Sequence, residues 1–337
     1  MTSVAVVILN FNGAELLRKF LPSIIRYSAP ARIVVVDNGS TDGSANVVTK
    51  EFPTVEVIQI ATNLGFSGGY NYALNKIEAD YSVLLNSDVE VTAGWLDPLK
   101  QLLDKNPDVA AVQPKILSYH QKNYFEYAGA GGGSIDSFGY PFCRGRLFYM
   151  LEEDHGQYND SLEIFWASGA CMMVRTKLFH EMGGLDEDFF AHMEEIDLCW
   201  RLQRSGHTIF YEGASVVYHV GGGTLSASNP HKTYLNFKNG LSLLFKNLSR
   251  TELIVKLPFR IVLDWIASLK FALSGSFKDG QSVIRAHRHF LSNWGKEKTR
   301  RRHTAKFGYR KLPTQYRGLI VWDFFVAGKR NYPELKR

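Results

Sequence analysis

Apolar runs and amphipathic stretches alternate along the first third of the chain. Val4 to Leu9 is continuous and β-branched, the pattern of a strand buried on both faces. Asn10-Phe11-Asn12-Gly13 breaks it, and Ala14 to Ile25 then shows helical period, with Leu16, Leu17, Phe20, Leu21, Ile24 and Ile25 on one face. Arg32 to Val36 predicts a second strand, and the Gly/Asp/Ser-rich loop from Asp37 to Ser44 opens a second helix. Val55 to Ile60 predicts a third strand, followed by a glycine-rich loop from Asn63 to Asn71 and a helix through Ala73 and Ile77. Tyr81 to Leu85 predicts a fourth, ending in the acidic turn Asn86-Ser87-Asp88-Val89-Glu90. Strand and helix alternating at this spacing imply a mostly parallel α/β sheet with right-handed crossovers. The polar loops then gather at one edge, where such sheets bind ligands. Asp88 in that turn can cap the turn or hold a cation, and the stretch alone leaves both open.

Beyond a helix at Trp95 to Leu103 and a strand at Val109 to Val112, residues 115–165 are rich in Tyr, Phe and Gly. They read either as a substrate-side region that orders on binding or as a loose β-excursion. Phe165 to Val174 predicts a strand whose small residues let a substrate approach the backbone. Phe189-Phe190 then precedes Glu194-Glu195-Ile196-Asp197, the start of a helix that Gly206 ends. Carboxylates in a first helical turn suit the helix dipole. An apolar approach and a neighbouring acid also raise a Glu pKa toward the range of a general base. Asp197 is expected to brace the helix or pair with Arg201. Val216 to Val220 predicts a strand that carries His219 at its end.

Charge divides the chain. Residues 226–337 hold 23 Lys+Arg against 6 Asp+Glu, net +17, while the first 225 residues hold 16 against 27, net −11. A basic tail on an acidic body implies a polyanionic surface as partner, membrane headgroups or nucleic acid. Leu253 to Leu273 is apolar, but Glu252, Lys256, Arg260 and Asp264 recur every fourth residue and Pro258 interrupts it. That pattern fits a helix lying in a membrane interface better than one spanning ~30 Å of hydrocarbon. Basic clusters at Arg285–Arg288 and Lys298–His303 would add attraction to an anionic leaflet. A homodimer interface is the alternative. Three widely spaced cysteines, Cys143, Cys171 and Cys199, suggest buried thiols in a reducing compartment, and the N-terminus lacks the features of a secretory leader. No GxGxxG follows the first strand, and GxxxxGK[ST] is absent.

Taken in order and spacing, Val7-Ile8-Leu9-Asn10-Phe11-Asn12, Val36-Asp37-Asn38-Gly39-Ser40-Thr41-Asp42-Gly43-Ser44, Asn63-Leu64-Gly65-Phe66 and Asn86-Ser87-Asp88 resemble the family 2 inverting glycosyltransferases, most of all the rhamnosyltransferase type. The likeness covers about residues 4–225. It implies a GT-A domain at 1–225, and the charge and helical pattern beyond it predict a helical, basic, membrane-associating region at 226–337. It also implies a nucleotide-sugar site drawn from Asn10, Asn12, Asp37, Asn63, Gly65, Phe66, Asn86, Ser87 and Asp88, with Asp37 reading the base. Asn86-Ser87-Asp88 stands where the family has a DxD motif, with an amide in place of the first acid. Asp88 and His219 would ligate Mg2+ or Mn2+, and Glu195, with Glu194 second, would be the general base. The implied activity is transfer from a nucleotide-diphosphate sugar, dTDP-rhamnose favoured, to a surface-polysaccharide or lipid-linked glycan. The implied location is the inner face of a bacterial cytoplasmic membrane, with no nucleic acid partner. The rival readings are a sugar-nucleotide-forming nucleotidyltransferase, which lacks its Gly-rich, Arg-containing signature here, and a non-enzymatic polyanion binder, which leaves the acidic body unexplained.

Overall fold

The apolar runs at the start of the chain become neighbouring parallel strands. The structure, a computed structural model, describes residues 2–221 and 229–336. Strands β1 (Val4–Asn10), β2 (Arg32–Asn38), β3 (Glu56–Ile60) and β4 (Tyr81–Asn86) alternate with helices α1 (Ala14–Tyr27), α2 (Ser44–Glu51) and α3 (Gly65–Leu74). β1 is central: Val7 lies opposite Val34 on one side and Leu84 on the other. Residues 5–8 and 34–36 are wholly buried, as two-faced strands require.

Next come β5 (Val89–Val91), α4 (Leu96–Lys105) and β6 (Val109–Ser118). Strands β7 (Gly133–Ile135), β8 (Pro141–Cys143), β9 (Arg146–Leu147) and β10 (Met150–Leu151) form a separate four-stranded sheet. β11 (Ser161–Ile164), β12 (Cys171–Arg175), α5 (Thr176–Glu181), α6 (Glu194–Arg204) and β13 (Thr208–His219) follow. The main sheet runs β11-β13-β6-β12-β4-β1-β2-β3, with β5 added beside β13. β12 is antiparallel to β4 and β6, and β13 is parallel to β6. The C-terminal ends of β1, β2, β4 and β13 therefore share one edge with the start of β12.

Three expectations are corrected. The glycine-rich stretch after β3 is not a loop throughout, because α3 begins at Gly65. The strand expected over 165–174 starts only at Cys171, after a bend at Phe165, an isolated bridge from Trp166 to Gly133 and a turn at 169–170. Residues 115–165 are no loose excursion: β6 runs on to Ser118, Phe142 and Leu147 are buried, and buried Lys115 meets Asp154 at 2.8 Å.

The expected domain boundary at 225/226 lies outside the described residues, as do Gly222 and Gly223. Beyond it stand α7 (Pro230–Asn247), α8 (Arg250–Leu273), α9 (Phe277–Ser292), α10 (Trp294–Ala305) and α11 (Ile320–Phe325). α8 starts at a capping box between Ser249 and Glu252. Leu243, Leu244 and Leu248 join the core cluster that holds Val7 of β1 and Leu198 of α6. Asp197, fully buried, accepts from Arg201 (2.8 Å), Lys246 (2.9 Å) and Asn247 (2.9 Å), which fastens α7 to α6. Such a buried network holds only when every charge is partnered, and removing one member is costly. Part of the basic tail is taken up this way. Arg300 pairs with Asp186 (2.9 Å) and Glu297 (2.8 Å), and Arg301 donates to Leu248 O (2.8 Å). The Lys298–His303 cluster is therefore not wholly available to a membrane, as the sequence had implied. Cys143, Cys171 and Cys199 are free and buried, as expected. Among the described residues no helix is long and apolar enough to cross a membrane.

Candidate active site

Side-chain amides lace the first three strand ends together. Asn10, at the end of β1, donates to Asp37 Oδ1 (3.2 Å) and Ser40 Oγ (3.3 Å). The Asn12 amide N–H also donates to Ser40 Oγ (2.9 Å), and Asn12 Oδ1 accepts from Thr41 N (2.8 Å). Asn38, at the end of β2, donates to Asn63 Oδ1 (3.1 Å) and Gly65 O (3.0 Å), while Asn63 Oδ1 accepts from Gly65 N (2.8 Å). Asn10 Oδ1 has no partner although it is fully buried. Of this set, Asn38 was not singled out from the sequence, although it neighbours Asp37.

The second group forms because β5 pairs with β13. The register sets Val89 opposite His219, so Asp88 falls beside the imidazole. His219 Nε2 lies 3.1 Å from Asp88 Oδ1, and Nδ1 lies 3.1 Å from Glu126 Oε2. Asn86 Nδ2 is 3.4 Å from the same Nε2, and Ser87 turns the chain between Asn86 and Asp88. All three of Asp88, Glu126 and His219 are buried. Burial would strip the proton from His219, but the two carboxylates outweigh it and raise the imidazolium pKa to about 10. Burial likewise pushes the Asp88 carboxyl up, yet His219 and backbone N–H groups bring it below its ordinary range.

Glu126 was missed from sequence. It stands alone in a stretch without motif, and only the cross-sheet contact reveals it. Its place behind Nδ1 is that of an outer partner which would fix a metal-binding histidine, the ion taking the place of the proton that Nε2 shares with Asp88. Asp88 Oδ1 and His219 Nε2, 3.1 Å apart, are an oxygen and a nitrogen donor of the kinds that Mg2+ or Mn2+ would accept. Among the described residues no group of three or more His, Cys, Asp or Glu side chains is placed to hold a metal ion. Asp88 and His219 would therefore hold a divalent ion only together with ligands from outside the chain.

The third group is the start of α6. Glu194 is buried, and Oε2 of both Glu194 and Glu195 lacks a partner. Burial, then the neighbouring Glu195, raises Glu194 well above its usual value. Burial raises Glu195 to about 7, with backbone N–H groups, Gly169's among them, pulling against it. Gly169 joins this group to the second, because the next residue's carbonyl, Ala170 O, accepts from Asn86 N (3.0 Å). The loop before α6 also reaches the first group: Phe66 N donates to Phe190 O (2.8 Å). Gly65 is required at that approach, since its φ is +73° and a Cβ would come within 2.6 Å of the Phe190 ring. The structure brings the sequence-predicted nucleotide-sugar and metal residues to one sheet edge, and the start of α6 meets that edge through Gly169 and Phe190.

That loop is strained. Phe190, His192 and Met193 have φ of 64°, 69° and 76°, each costing on the order of 1–3 kcal/mol. It is held from α7, where Asn239 donates to the carbonyls of Phe189 (3.1 Å), Ala191 (2.9 Å) and His192 (2.7 Å). Replacing Asn239 with Leu should leave these buried carbonyls bare and release the loop. The expected result is a kcat lower by about ten-fold or more, with a smaller change in donor KM. Steady-state kinetics checks it, and an unaltered kcat would show that the loop holds itself.

A sheet of this order with this chemistry at its carboxyl edge is the GT-A arrangement of nucleotide-diphospho-sugar transferases. Residues 5–183 match Glycosyl transferase family 2, and the chain belongs to that family. It is 24% identical over 297 residues to an N-acetylglucosaminyl-diphospho-decaprenol L-rhamnosyltransferase of Mycobacterium tuberculosis, covering 84% of this chain and 91% of the relative. The low-salt glycan biosynthesis hexosyltransferase Agl10 of Haloferax volcanii is 23% identical over 299 residues, with 82% and 91% covered. Two solved structures share the fold. The mannosyltransferase PcManGT from Pyrobaculum calidifontis, in complex with GDP-Man and Mn2+, superposes with TM-score 0.52 at 14% identity, covering 90% of this chain and 86% of its own. GalNAc-T7 with UDP, GalNAc and Mn2+ gives 0.56 at 15% identity, over 74% of this chain and 49% of that one, so this chain spans about half its length. The protein is a family 2 glycosyltransferase of GT-A fold.

Proposed function

We propose that this enzyme transfers a hexose, dTDP-rhamnose being the favoured donor, with inversion, to a lipid-linked or surface-polysaccharide glycan. It works at the inner face of the cytoplasmic membrane. The observation that carries the reading is the turn at Gly169–Ala170. One of its residues faces Glu195 and the other bonds the strand end that presents Asp88. In this reading Asp37 and its amide neighbours take the donor's base, and Asn86 to Asp88 face its diphosphate. Asp88 and His219 would hold Mg2+ or Mn2+, which supplies compensation for the charge growing on the leaving diphosphate. Glu195, poised near neutral pH, takes the proton from the acceptor hydroxyl as its oxygen attacks the anomeric carbon from the face opposite the diphosphate. One displacement inverts the centre without a covalent enzyme intermediate. The relatives' names support a lipid-diphosphate or glycan acceptor, and the basic tail supports a membrane location.

Thermal unfolding of the purified protein with a panel of nucleotide sugars tests the donor assignment. At concentrations far above Kd a matching donor should raise Tm by several degrees, because a ligand at about 100 Kd adds roughly 2.7 kcal/mol. dTDP-rhamnose with Mn2+ should give the largest rise among dTDP-rhamnose, uridine-diphosphate hexoses and uridine-diphosphate galactofuranose. A larger rise with another donor replaces the assignment, and no rise with any donor contradicts the site.

A further inference from the structure

Helix α8 is turned inside out. Its polar stripe faces the protein: Asp264, fully buried, accepts from Arg260 Nε (2.7 Å) and the Tyr140 hydroxyl (3.1 Å), and lies 3.2 Å from His287 Nε2. Arg260 also donates to Phe138 O (2.9 Å). The apolar side is left outside, with Ile254 75%, Trp265 59%, Ile266 58%, Leu269 60% and Leu273 81% exposed. From Glu252 to Leu269 every exposed residue of the helix is apolar. At 1.5 Å per residue, Ile254 to Leu273 makes a stripe about 28 Å long. The Trp265 indole N–H is bonded to His287 Nδ1 (3.1 Å), which holds the ring in one outward orientation. α11 lies against the stripe, with Lys270 Nζ 3.9 Å from the centre of the Phe325 ring, and Phe325 is 44% exposed. A monomer in water does not keep so long an apolar face without a partner for it.

The surrounding charge indicates that partner. Lys270, Lys278, Arg285 and Arg288 are exposed, and from Leu253 to Lys296 no Asp or Glu is. Two-fold pairing of this face with itself would set these like charges against each other. Phospholipid accepts both features at once, acyl chains against the stripe and anionic headgroups against the basic residues.

We propose that the outward face of α8, continued by Phe325, is a bilayer-contact surface lying in the headgroup–acyl boundary of an anionic membrane. Lys270, Lys278, Arg285 and Arg288 meet lipid phosphates. The inference rests on the membrane-side reading of the acceptor above and gives it a defined surface. The charged stripe of the helix is thereby its docking side toward the enzyme.

Flotation of the full chain with vesicles tests it. Phosphatidylcholine vesicles containing about one quarter phosphatidylglycerol should bind the protein at least about ten-fold more tightly than phosphatidylcholine alone. Trp265 emission should shift to the blue on binding. Ile266→Glu combined with Leu269→Glu, both at exposed positions, should lower partitioning by at least about ten-fold. Arg285→Glu with Arg288→Glu should remove the preference for phosphatidylglycerol. Donor-dependent thermal stabilisation should survive in all variants, so a failure of the surface is distinguishable from a failure of the enzymatic site. The proposal is overturned if the wild-type chain ignores both vesicles. It is also overturned if the Ile266/Leu269 variant partitions like wild type, or if that variant instead abolishes a dimer seen in sedimentation.

Discussion

Glu195→Gln is expected to lower kcat by about 10²–10⁴-fold and, above pH 7, to make the protein more stable. Both effects come from one displaced pKa. Glu195 titrates at about 7 in the folded chain against 4.5 for an ordinary glutamate. Between those values the folded state holds a proton that the unfolded chain has released. Stability therefore falls as pH rises through this window, by roughly 1–3 kcal/mol. Glutamine carries no such penalty. The variant should match wild type near pH 4 and exceed it near pH 8 in denaturant titrations. In the wild type, kcat/KM should rise with pH about a midpoint near 7, as the carboxylate that accepts the acceptor's proton forms. If Glu194→Gln shows the large loss while Glu195→Gln turns over, the two neighbours exchange roles.

Asp88→Ala should remove transfer by about 10³-fold or more while leaving far-UV circular dichroism unchanged. A bound cation is worth several kcal/mol to a transition state that sheds diphosphate, and each 1.36 kcal/mol is ten-fold. The fold should survive, because His219 keeps Glu126 on its other nitrogen and the β5–β13 pairing is made by backbone. Transfer within ten-fold of wild type would refute the role given to Asp88.

The parts of the fold legible in the sequence were those where one local signal agreed with the final packing. β1, β2 and β4 are mostly apolar runs whose central residues are buried on both faces, and each ends in a polar turn. α3 was less legible because three of its residues are Gly65, Gly68 and Gly69, poor helix formers on propensity alone. They are there for contact: a Cβ on Gly69 would come within 2.6 Å of Leu9 Cδ1. Tertiary approach overrode propensity. Asp88, His219 and the Glu194–Glu195 pair stood out through motif and position. Glu126 and Asn239 did not, since each acts across a long sequence gap that periodicity does not register. In α8 the fourfold spacing of charges showed two faces but not which one points inward. That needed Tyr140, Phe138 and His287, which come from two other parts of the chain.

The most direct test is the Mn2+ dependence of nucleoside-diphosphate binding, measured by titration calorimetry on wild type, Asp88→Ala and Glu195→Gln. Mn2+ should tighten dTDP binding in wild type and equally in Glu195→Gln, and should do nothing in Asp88→Ala. Cation-enhanced binding that persists without Asp88, or that disappears without Glu195, would contradict a single pocket in which one acid grips the leaving group and the other receives the proton.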